Sequence, residues 1–490
     1  MAWLSIFHKL AWVYAVLNIV LALFSLNILI LLILAIFHRR PPQIPTSTDL
    51  TEYPSVLVQL PVYNERFVVE RLINAAVALD YPRDRLTIQV LDDSTDQTSL
   101  IAETMVNVHR ERGINIQYLH RDNRTGFKAG ALAEGLRHAS GDLVAIFDAD
   151  FIPPSDFLKR LVPEFLRDPR VGIVQARWEH LNRDQNAITH IIALGLDLHF
   201  AIDQIARSRS GMLMNSNGSG CILRRQCIEE AGGWQSDTLV EDTDLSYRAQ
   251  LQGWKIVYRP DVTAPGELPA TILAFKQQQF RWAKGILQTL IKLDWKIITS
   301  RRPPLHKLGG LVHLSMYLAS PLMLLSFLLS LPVIFLHGNL PINLAFLSVV
   351  AFIPPIAIFY SQVSLRRDWK NFVLYYPLLS LISIGLSVTL TRAAWEAFTG
   401  RQSPFVRTPK FAAANAKHAD YALPLDQATY WEMFFCLYGL GTASIALHRA
   451  PQIVPFLLLY ALGYGVTAFL SIQQSSNLRQ ALRARPIPGN

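Results

Sequence analysis

The stretch Leu143-Val144-Ala145-Ile146-Phe147-Asp148-Ala149-Asp150 is a wholly apolar run that ends in two carboxylates. A second apolar run ends in the same way, at Asp92 and Asp93. Runs of this kind alternate with helical patterns. The predicted strands are 56–60, 87–91, 116–119 and 143–147, and the predicted helices are 65–79, 97–110, 128–138 and 155–166. Such alternation predicts a largely parallel sheet covered on both faces, whose ligands bind at the carboxyl ends of the strands.

The two carboxylates at positions 148 and 150 are candidate metal ligands. An Asp-x-Asp pair at a strand end offers oxygen ligands to Mg²⁺ or Mn²⁺ and leaves coordination positions open for phosphate oxygens. The alternative, that aspartates after strands cap helices or form turns, stays open for Asp93, Ser94 and Asp96. For Asp148 and Asp150 we favour the metal, because a bound cation relieves the repulsion between adjacent carboxylates.

A third acidic cluster, Val240-Glu241-Asp242-Thr243-Asp244, precedes a helical pattern. Carboxylates favour a helix N-terminus through the helix dipole, which accounts for Glu241 and Asp244 and leaves Asp242 available. When an alcohol displaces a diphosphate from a sugar, a carboxylate must accept the hydroxyl proton and a metal must stabilise the leaving charge. We therefore predict that Asp242 is a general base.

Cationic and aromatic side chains complete the candidate site. Lys128 follows Gly126 at the start of a predicted helix, whose N-terminus attracts anions, so we expect Lys128 to contact either a phosphate or a nucleotide base. In the stretch Gln277 to Trp282, Arg281 can neutralise phosphate. Trp282 can stack on a sugar ring or anchor the chain at a membrane surface, and both interpretations stay open.

Charge and composition point to a membrane rather than to nucleic acid. The chain has 490 residues, a formal charge of +9 and 51% hydrophobic residues. Many basic residues flank apolar runs, as membrane topology requires, and no basic stripe interleaved with aromatic residues is evident, so we expect no nucleic-acid partner. The three cysteines show no metal-ligand spacing and imply no disulfide framework.

Six apolar runs are long enough to span a bilayer. They lie near 10–37, 310–336, 342–361, 371–395, 430–448 and 452–472. The run 371–395 has a polar face, so it either spans the membrane or lies in the interface. The positive-inside rule puts the arginine-bearing tail in the cytosol if five runs span. We therefore predict one span before the globular part, about four after it and one interfacial helix.

Together these motifs resemble the processive family 2 glycosyltransferases, which include cellulose, mannan, chitin and hyaluronan synthases. The resemblance covers roughly residues 54–300. It rests on five motifs in the family's order: Pro61 to Glu65, Asp92 to Ser94, Asp148 to Asp150, Val240 to Asp242 and Gln278 to Trp282. The stretches 120–132 and 231–239 resemble most closely the plant cellulose-synthase-like enzymes that make glucomannan and xyloglucan backbones.

The resemblance implies an α/β domain of the GT-A type, a Rossmann-like and mostly parallel sheet, joined to an α-helical transmembrane bundle. It implies Asp242 as the base, Mg²⁺ or Mn²⁺ on Asp148 and Asp150, and an acceptor site that includes Trp282 and Glu241. The implied donor-binding residues are Pro61, Tyr63, Glu65, Asp92, Lys128, Asp148, Gln278, Arg281 and Trp282.

The same resemblance divides the chain. We expect a transmembrane anchor at 1–40, a linker at 41–54, a cytosolic catalytic domain at 55–300, transmembrane and interfacial helices at 301–475, and a cytosolic tail at 476–490. Val240 replaces the family's usual Thr. The segment 400–412 contains Arg407-Thr408-Pro409-Lys410, an altered form of the family's gating-loop motif, and a basic cytosolic linker is an equal interpretation of it.

The expected activity is inverting, metal-dependent transfer of a hexose from UDP-glucose or GDP-mannose to a growing β-linked polysaccharide, a β-1,4-glucan or mannan, coupled to translocation across a cell inner membrane or its equivalent. The expected partners are the nucleotide sugar, the glycan, the bilayer and accessory export subunits. One alternative is a single-transfer enzyme that makes a glycolipid. Another, a transporter with an inactive globular domain, is disfavoured because the apolar runs carry few charges.

Overall fold

The globular part of the molecule is built on one seven-stranded sheet. The structure, a computed structural model, describes residues 2–38, 52–335, 345–403 and 424–483. The strands are β1 Val56–Val62, β2 Leu86–Asp92, β3 Ile116–His120, β4 Leu143–Ile146, β5 Val171–His180, β6 Cys221–Arg224 and β7 Lys255–Gly266. Their spatial order is β3-β2-β1-β4-β6-β5-β7, and all neighbours are parallel except β6, which is antiparallel to β4 and β5.

Seventeen α-helices lie within the described residues. Those of the sheet domain are α2 Val69–Val77, α3 Thr98–Glu111, α4 Phe127–His138, α5 Phe157–Leu161, α6 Pro163–Arg167, α7 Ala187–Leu198, α8 Gln204–Ser210, α9 Arg225–Glu230 and α10 Glu241–Leu251. The others are α1 Ala2–Phe37, α11 Ile272–Thr299, α12 Pro304–Ser315, α13 Ala319–Ile334, α14 Ile353–Ser364, α15 Trp369–Phe398, α16 Ala428–Arg449 and α17 Val454–Arg483.

The mostly parallel α/β sheet predicted from the sequence is confirmed. Successive side chains of a strand point to opposite faces, and here Val90 belongs to a core with α2, α3 and α5 whereas Leu91 belongs to a core with α4, α9 and α10. The predicted helix 155–166 is instead two short helices, because Pro163 cannot donate the backbone hydrogen bond that a continuous helix needs.

The strand register brings the motifs to one edge. Val62 pairs with Asp92, Asp92 pairs with His120, and Gln59 pairs with Ile146. The chain therefore leaves β1, β2 and β4 on the same side of the sheet, at the carboxyl ends of the strands. A ligand at this edge meets all three loops.

Among the described residues, five helical stretches are long and apolar enough to cross a membrane: His8–Phe37, Ala187–Ser210, Pro304–Ile334, Trp369–Phe398 and Pro451–Ser476. Three of the predicted runs thus have close counterparts at 10–37, 310–336 and 452–472, and the ambiguous run 371–395 lies within the continuous helix α15. Ala187–Ser210 was not predicted; it packs between the sheet and α1, α14 and α15.

The other two predicted runs form shorter or more polar helices. The described part of 342–361 contributes to α14, and the run 430–448 forms α16, which does not meet the same length and composition test within the described residues. Most of the predicted linker 41–54 and of the gating-loop-like segment lies outside the described residues, as do the last seven residues of the tail.

Candidate active site

A cavity of about 720 Å³ opens at the carboxyl edge of the sheet, between it and the long helices. All predicted site residues except Asp92 line it. They are Pro61, Tyr63, Glu65, Lys128, Asp148, Asp150, Glu241, Asp242, Gln278, Arg281 and Trp282. Residues more than 200 positions apart in the chain therefore share one chamber.

Lys128 stands at the centre of the acidic residues. Its Nζ lies 2.6 Å from Asp148 Oδ1 and 3.4 Å from Glu241 Oε1, and it donates a 2.9 Å hydrogen bond to the carbonyl oxygen of Gly218. Although burial opposes its charge, these two carboxylates raise the pKa of Lys128 above its ordinary value. Lys128 is therefore a fixed positive charge within reach of a diphosphate bound at Asp148.

Asp242 lies in the first turn of α10, where it lines the cavity. Its Oδ1 accepts a 2.7 Å hydrogen bond from the Thr243 backbone N–H. Burial and the neighbouring Glu241 carboxylate raise the pKa of Asp242 to about 7, whereas Lys128 acts in the opposite direction. A carboxylate with a pKa near neutrality is well matched to accepting a proton from a hydroxyl group.

Gly218 makes room for that carboxylate. Its φ is +72°, and a Cβ added to it would lie only 2.9 Å from Asp242 Oδ2. Real Cβ atoms do not tolerate such a contact, and the positive φ also favours glycine. The loop at Gly218 therefore touches the predicted base directly, which sequence analysis did not foresee.

The second aspartate pair is divided between the core and the cavity. Asp92 is fully buried; it accepts hydrogen bonds from the Ser94 backbone, the Tyr118 hydroxyl and the His120 ring. Burial alone would raise its pKa, but these bonds outweigh that effect and lower the pKa of Asp92. The structure thus does not bring Asp92 to the cavity.

Asp93 lines the cavity instead. Its two carboxylate oxygens accept hydrogen bonds of 2.7 and 2.6 Å from the Arg121 guanidinium. Such two-point ion pairs fix both side chains in one orientation. Asp93 and Arg121 together shape the part of the wall that follows β2.

The β1 loop supplies an aromatic wall. The guanidinium of Arg124 lies 3.4 Å from the centre of the Tyr63 ring, a cation–π arrangement. The loop turns at Asn64, whose φ of +53° is left-handed, and the Ser94 hydroxyl accepts the Asn64 backbone N–H at 2.8 Å. This contact ties the β1 loop to the β2 loop at one side of the cavity.

The residues present fit a divalent cation. Asp148 and Asp150 leave the same strand end, and burial together with the nearby Asp150 charge raises the pKa of Asp148 despite the opposing effect of Lys128. A cation would relieve this concentration of negative charge. Within the described residues, no three acidic, histidine or cysteine side chains converge as a complete metal site.

Sequence analysis missed the wall opposite the sheet. His199 to Asp203 form one π-helical turn, a feature often found at functional sites, and both end residues line the cavity. His199 Nε2 lies 3.0 Å from Asn217 Oδ1, and Arg207 Nε donates a 2.6 Å bond to Asp203. No periodic pattern reveals a π-turn within an apolar helix, so these residues had no sequence signal.

Residues 54–285 match the family described as "Glycosyltransferase like family 2". Glucomannan 4-beta-mannosyltransferase 9 of Arabidopsis thaliana is 41% identical over 291 residues, which cover 57% of this chain and 55% of that protein. Glucomannan 4-beta-mannosyltransferase 2 of the same species is 44% identical over 259 residues, which cover 51% and 48%. The chain spans about half the length of these curated relatives.

A solved structure also shares the fold. The mannosyltransferase PcManGT from Pyrobaculum calidifontis, in complex with GDP-Man and Mn2+, aligns with 80% of this chain and 100% of its own chain, with a TM-score of 0.57 and 22% sequence identity. The likeness extends over the sheet and beyond it, because the aligned share exceeds the part matched by the family.

Proposed function

We propose that this chain, whose residues 54–285 match the family described as "Glycosyltransferase like family 2", transfers a hexose from a nucleotide-diphosphate sugar to a β-linked glycan. The fold of the catalytic part is of the GT-A type. The observation that carries the proposal is the shared cavity in which Asp242, Lys128 and the Asp148–Asp150 pair face the Gln278–Trp282 stretch.

In the proposed reaction Asp242 accepts the proton of the acceptor hydroxyl. The hydroxyl oxygen attacks the anomeric carbon, the bond from that carbon to the diphosphate oxygen breaks, and its electron pair leaves with the nucleoside diphosphate. Attack from the face opposite the leaving group inverts the anomeric carbon. Lys128 and Arg281 balance the negative charge of the diphosphate, and Trp282 offers a flat face to a sugar ring.

Asp148 and Asp150 are the residues that would hold Mg²⁺ or Mn²⁺, which would stabilise the charge on the departing diphosphate. The donor contacts proposed for Pro61, Tyr63 and Glu65 rest on their place in the β1 loop beside this pair. A nucleoside there would meet the Tyr63–Arg124 stack. For Asp92 the proposal is an indirect role, because its oxygens already accept hydrogen bonds within the protein.

Mannose is the first sugar to test. The curated relatives are named for mannosyl transfer to glucomannan, and the solved neighbour was captured with GDP-Man and Mn2+. GDP-mannose is therefore the proposed donor, and UDP-glucose is the comparison donor. The preference for one donor over the other depends on the contacts that the pocket makes with the nucleotide base and with the sugar.

We further propose a multi-pass membrane protein with its catalytic domain in the cytosol, which passes its product through the bilayer with accessory export subunits. The cavity continues from the catalytic residues to Leu31 of α1 and to Leu386 and Leu390 of α15. Helices long and apolar enough to cross a membrane therefore form part of its wall.

A specific observation favours a second candidate, single transfer to a membrane lipid. Between the long helices the cavity is lined mostly by apolar side chains, including Ile28, Ile191, Ile192 and Leu379. A polysaccharide needs hydrogen-bond partners for its hydroxyl groups once water is removed, whereas a hydrocarbon chain needs none. An apolar wall therefore suits a lipid-linked acceptor better than a bare glycan.

Transfer by the purified chain in lipid vesicles tests both candidates. Radiolabelled GDP-mannose or UDP-glucose is supplied with Mg²⁺ or Mn²⁺, and the product is sized, extracted with organic solvent and digested with an endo-β-mannanase or endo-β-glucanase. A polymer that the matching enzyme cleaves supports the glycan synthase. A short product that partitions into solvent supports the lipid acceptor.

The matched variants are Asp242→Asn and Asp294→Asn. Asp242→Asn should abolish transfer and keep nucleotide binding, because the amide cannot accept the proton. Asp294 is an exposed residue near the far end of α11, so Asp294→Asn should behave as the unaltered chain. Full activity in Asp242→Asn would refute the assigned base.

A further inference from the structure

Two buried lysines bracket the Gln278–Trp282 stretch on α11. Lys276 and Lys284 are each 1% exposed, and they lie two residues on either side of the stretch. An ammonium group is costly to remove from water unless it is paired. The partners of these two lysines therefore restrict where α11 can lie.

Lys276 binds groups from the last two long helices. Its Nζ lies 2.7 Å from Glu432 Oε1 of α16 and donates a 2.9 Å hydrogen bond to the Ser471 hydroxyl of α17. Asp426, just before α16, lies 3.5 Å away. Glu432 is fully buried, so this is a desolvated ion pair between α11 and the bundle.

Lys284 makes the equivalent contact with α15. Its Nζ lies 2.9 Å from Glu396 Oε2 and donates a 2.6 Å hydrogen bond to the Arg401 carbonyl oxygen. The Ser403 hydroxyl, which also accepts from Lys284, donates to Glu396. The two lysines together attach α11 to three helices of the bundle.

The lysines and the cavity-lining residues lie on different faces of α11. With about 100° of rotation per residue, Lys284 lies about 80° from Lys276 around the helix axis, whereas Arg281, Gln278 and Trp282 lie at about 140°, 200° and 240°. The cavity-lining residues are thus centred on the face opposite the lysines. Rotation of α11 would move the stretch away from the cavity and break the ion pairs at the same time.

We propose that Lys276 and Lys284 are positioning residues that fix the rotation of α11, so that Gln278, Arg281 and Trp282 face the reacting sugar. This inference rests on the proposed function. The remaining donor-site groups, Lys128 and Asp148, are positioned by the sheet domain and do not depend on α11. Loss of either lysine should therefore lower kcat more than it weakens nucleotide binding, because Arg281 is the one proposed diphosphate contact that would move.

The test compares Lys276→Met, the double variant Lys276→Met with Glu432→Met, and the control Lys296→Met, an exposed lysine on the same helix. Lys276→Met leaves Glu432 buried without its partner and should lower both thermal stability and kcat. The double variant removes both charges, which typically restores stability, but apolar contacts do not specify rotation. Its kcat should stay roughly 10- to 100-fold low, whereas nucleotide Kd should rise by less than kcat falls, because Lys128 and Asp148 keep their positions.

If the double variant regains both stability and kcat, the Lys276–Glu432 pair only stabilises the fold, and the proposal is overturned. Rotation of α11 can also be measured directly. Gln279 lines the cavity, so the rate at which maleimide labels Gln279→Cys reports the rotation of the helix. This rate is compared with and without Lys276→Met/Glu432→Met. A changed rate supports the proposal and an unchanged rate refutes it, even if no donor is turned over. Failure of every donor would count against the proposed function alone.

Discussion

Lys128 Nζ lies 2.6 Å from Asp148 Oδ1, so a lysine from α4 and an aspartate from the end of β4 form an ion pair inside the cavity. The lysine is also within 3.4 Å of Glu241. One positive charge therefore joins the proposed diphosphate site to the helix that carries the proposed base. Its removal should affect both.

Lys128→Met should lower kcat by about 10²-fold, the usual effect of losing one group that stabilises developing negative charge. It should also weaken nucleotide binding, because the carboxylates it neutralises would repel the diphosphate. Initial-rate kinetics and nucleotide titration measure the two effects. The exposed Lys296→Met on α11 is the control, and a Lys128→Met variant with kcat within threefold of the unaltered chain would contradict the assignment.

The pH profile should report the proposed base. Asp242 must be deprotonated to accept a proton, and burial with Glu241 raises its pKa to about 7. The value of kcat/KM should therefore fall as pH drops through about 7, approaching tenfold per pH unit below it. Lys128 lowers the pKa of Asp242, so Lys128→Met should move this acid limb to higher pH.

Rates from pH 5 to 9 at saturating metal, with nucleotide binding measured in parallel, separate the base from the donor site. A cation bound near Asp242 would shift the acid limb of the kcat/KM profile toward lower pH, but kcat/KM would still fall as pH drops. A kcat/KM profile that stays level from pH 5 to 8 would exclude a carboxylate with a raised pKa as the rate-determining base.

Gly218→Ala should impair catalysis by crowding the base. The new Cβ would lie 2.9 Å from Asp242 Oδ2, and the positive φ adds backbone strain. We expect kcat to fall by roughly tenfold to a hundredfold, since small displacements of a reacting group have effects of this size. Single-turnover kinetics measure the chemical step directly.

The matched control is Gly441→Ala on α16, where a Cβ would meet nothing within 4 Å. Alanine is a better helix former than glycine, so this control should be neutral or slightly more stable. Equal losses in the two variants would show that Gly218 has no special relation to Asp242.

Sequence patterns predicted the parallel sheet because apolar runs, the helical patterns between them and strand-end carboxylates are local signals. Val90 and Leu91 face opposite cores as alternation requires, and Asp148 reaches the cavity because it directly follows a buried strand. The break at Pro163, which the predicted helix 155–166 overlooked, also follows from local chemistry.

Features that depend on tertiary contacts could not be predicted in this way. The π-turn from His199 to Asp203 interrupts an unremarkable apolar helix. The partners of Lys276 lie more than 150 positions away. Nor does the motif at 92–94 reveal which aspartate faces inward, since that depends on Tyr118 and His120 from the adjacent strand.

The choice between Asp92 and Asp93 leads to the last prediction. Asp92→Asn keeps the shape of the side chain but loses the charge that accepts from Tyr118 and His120. Leaving such buried donors poorly paired costs about 1–3 kcal/mol, so the apparent Tm should fall by several degrees with nucleotide Kd changed by less than threefold. Asp122→Asn is the control, because Asp122 flanks the same His120 but is fully exposed.

The pH dependence of stability gives this prediction a sign. Hydrogen bonds hold the pKa of Asp92 below its ordinary value. Ionised Asp92 therefore adds to the free energy of unfolding above the unfolded pKa of about 4, and this stabilisation is lost as pH falls through the lower folded pKa. The Tm difference between the unaltered chain and Asp92→Asn should shrink in acid. If instead Asp92→Asn weakened nucleotide binding more than tenfold at an unchanged Tm, Asp92 would contact the nucleotide directly, and the hydrogen bonds seen here would have to open when the donor binds.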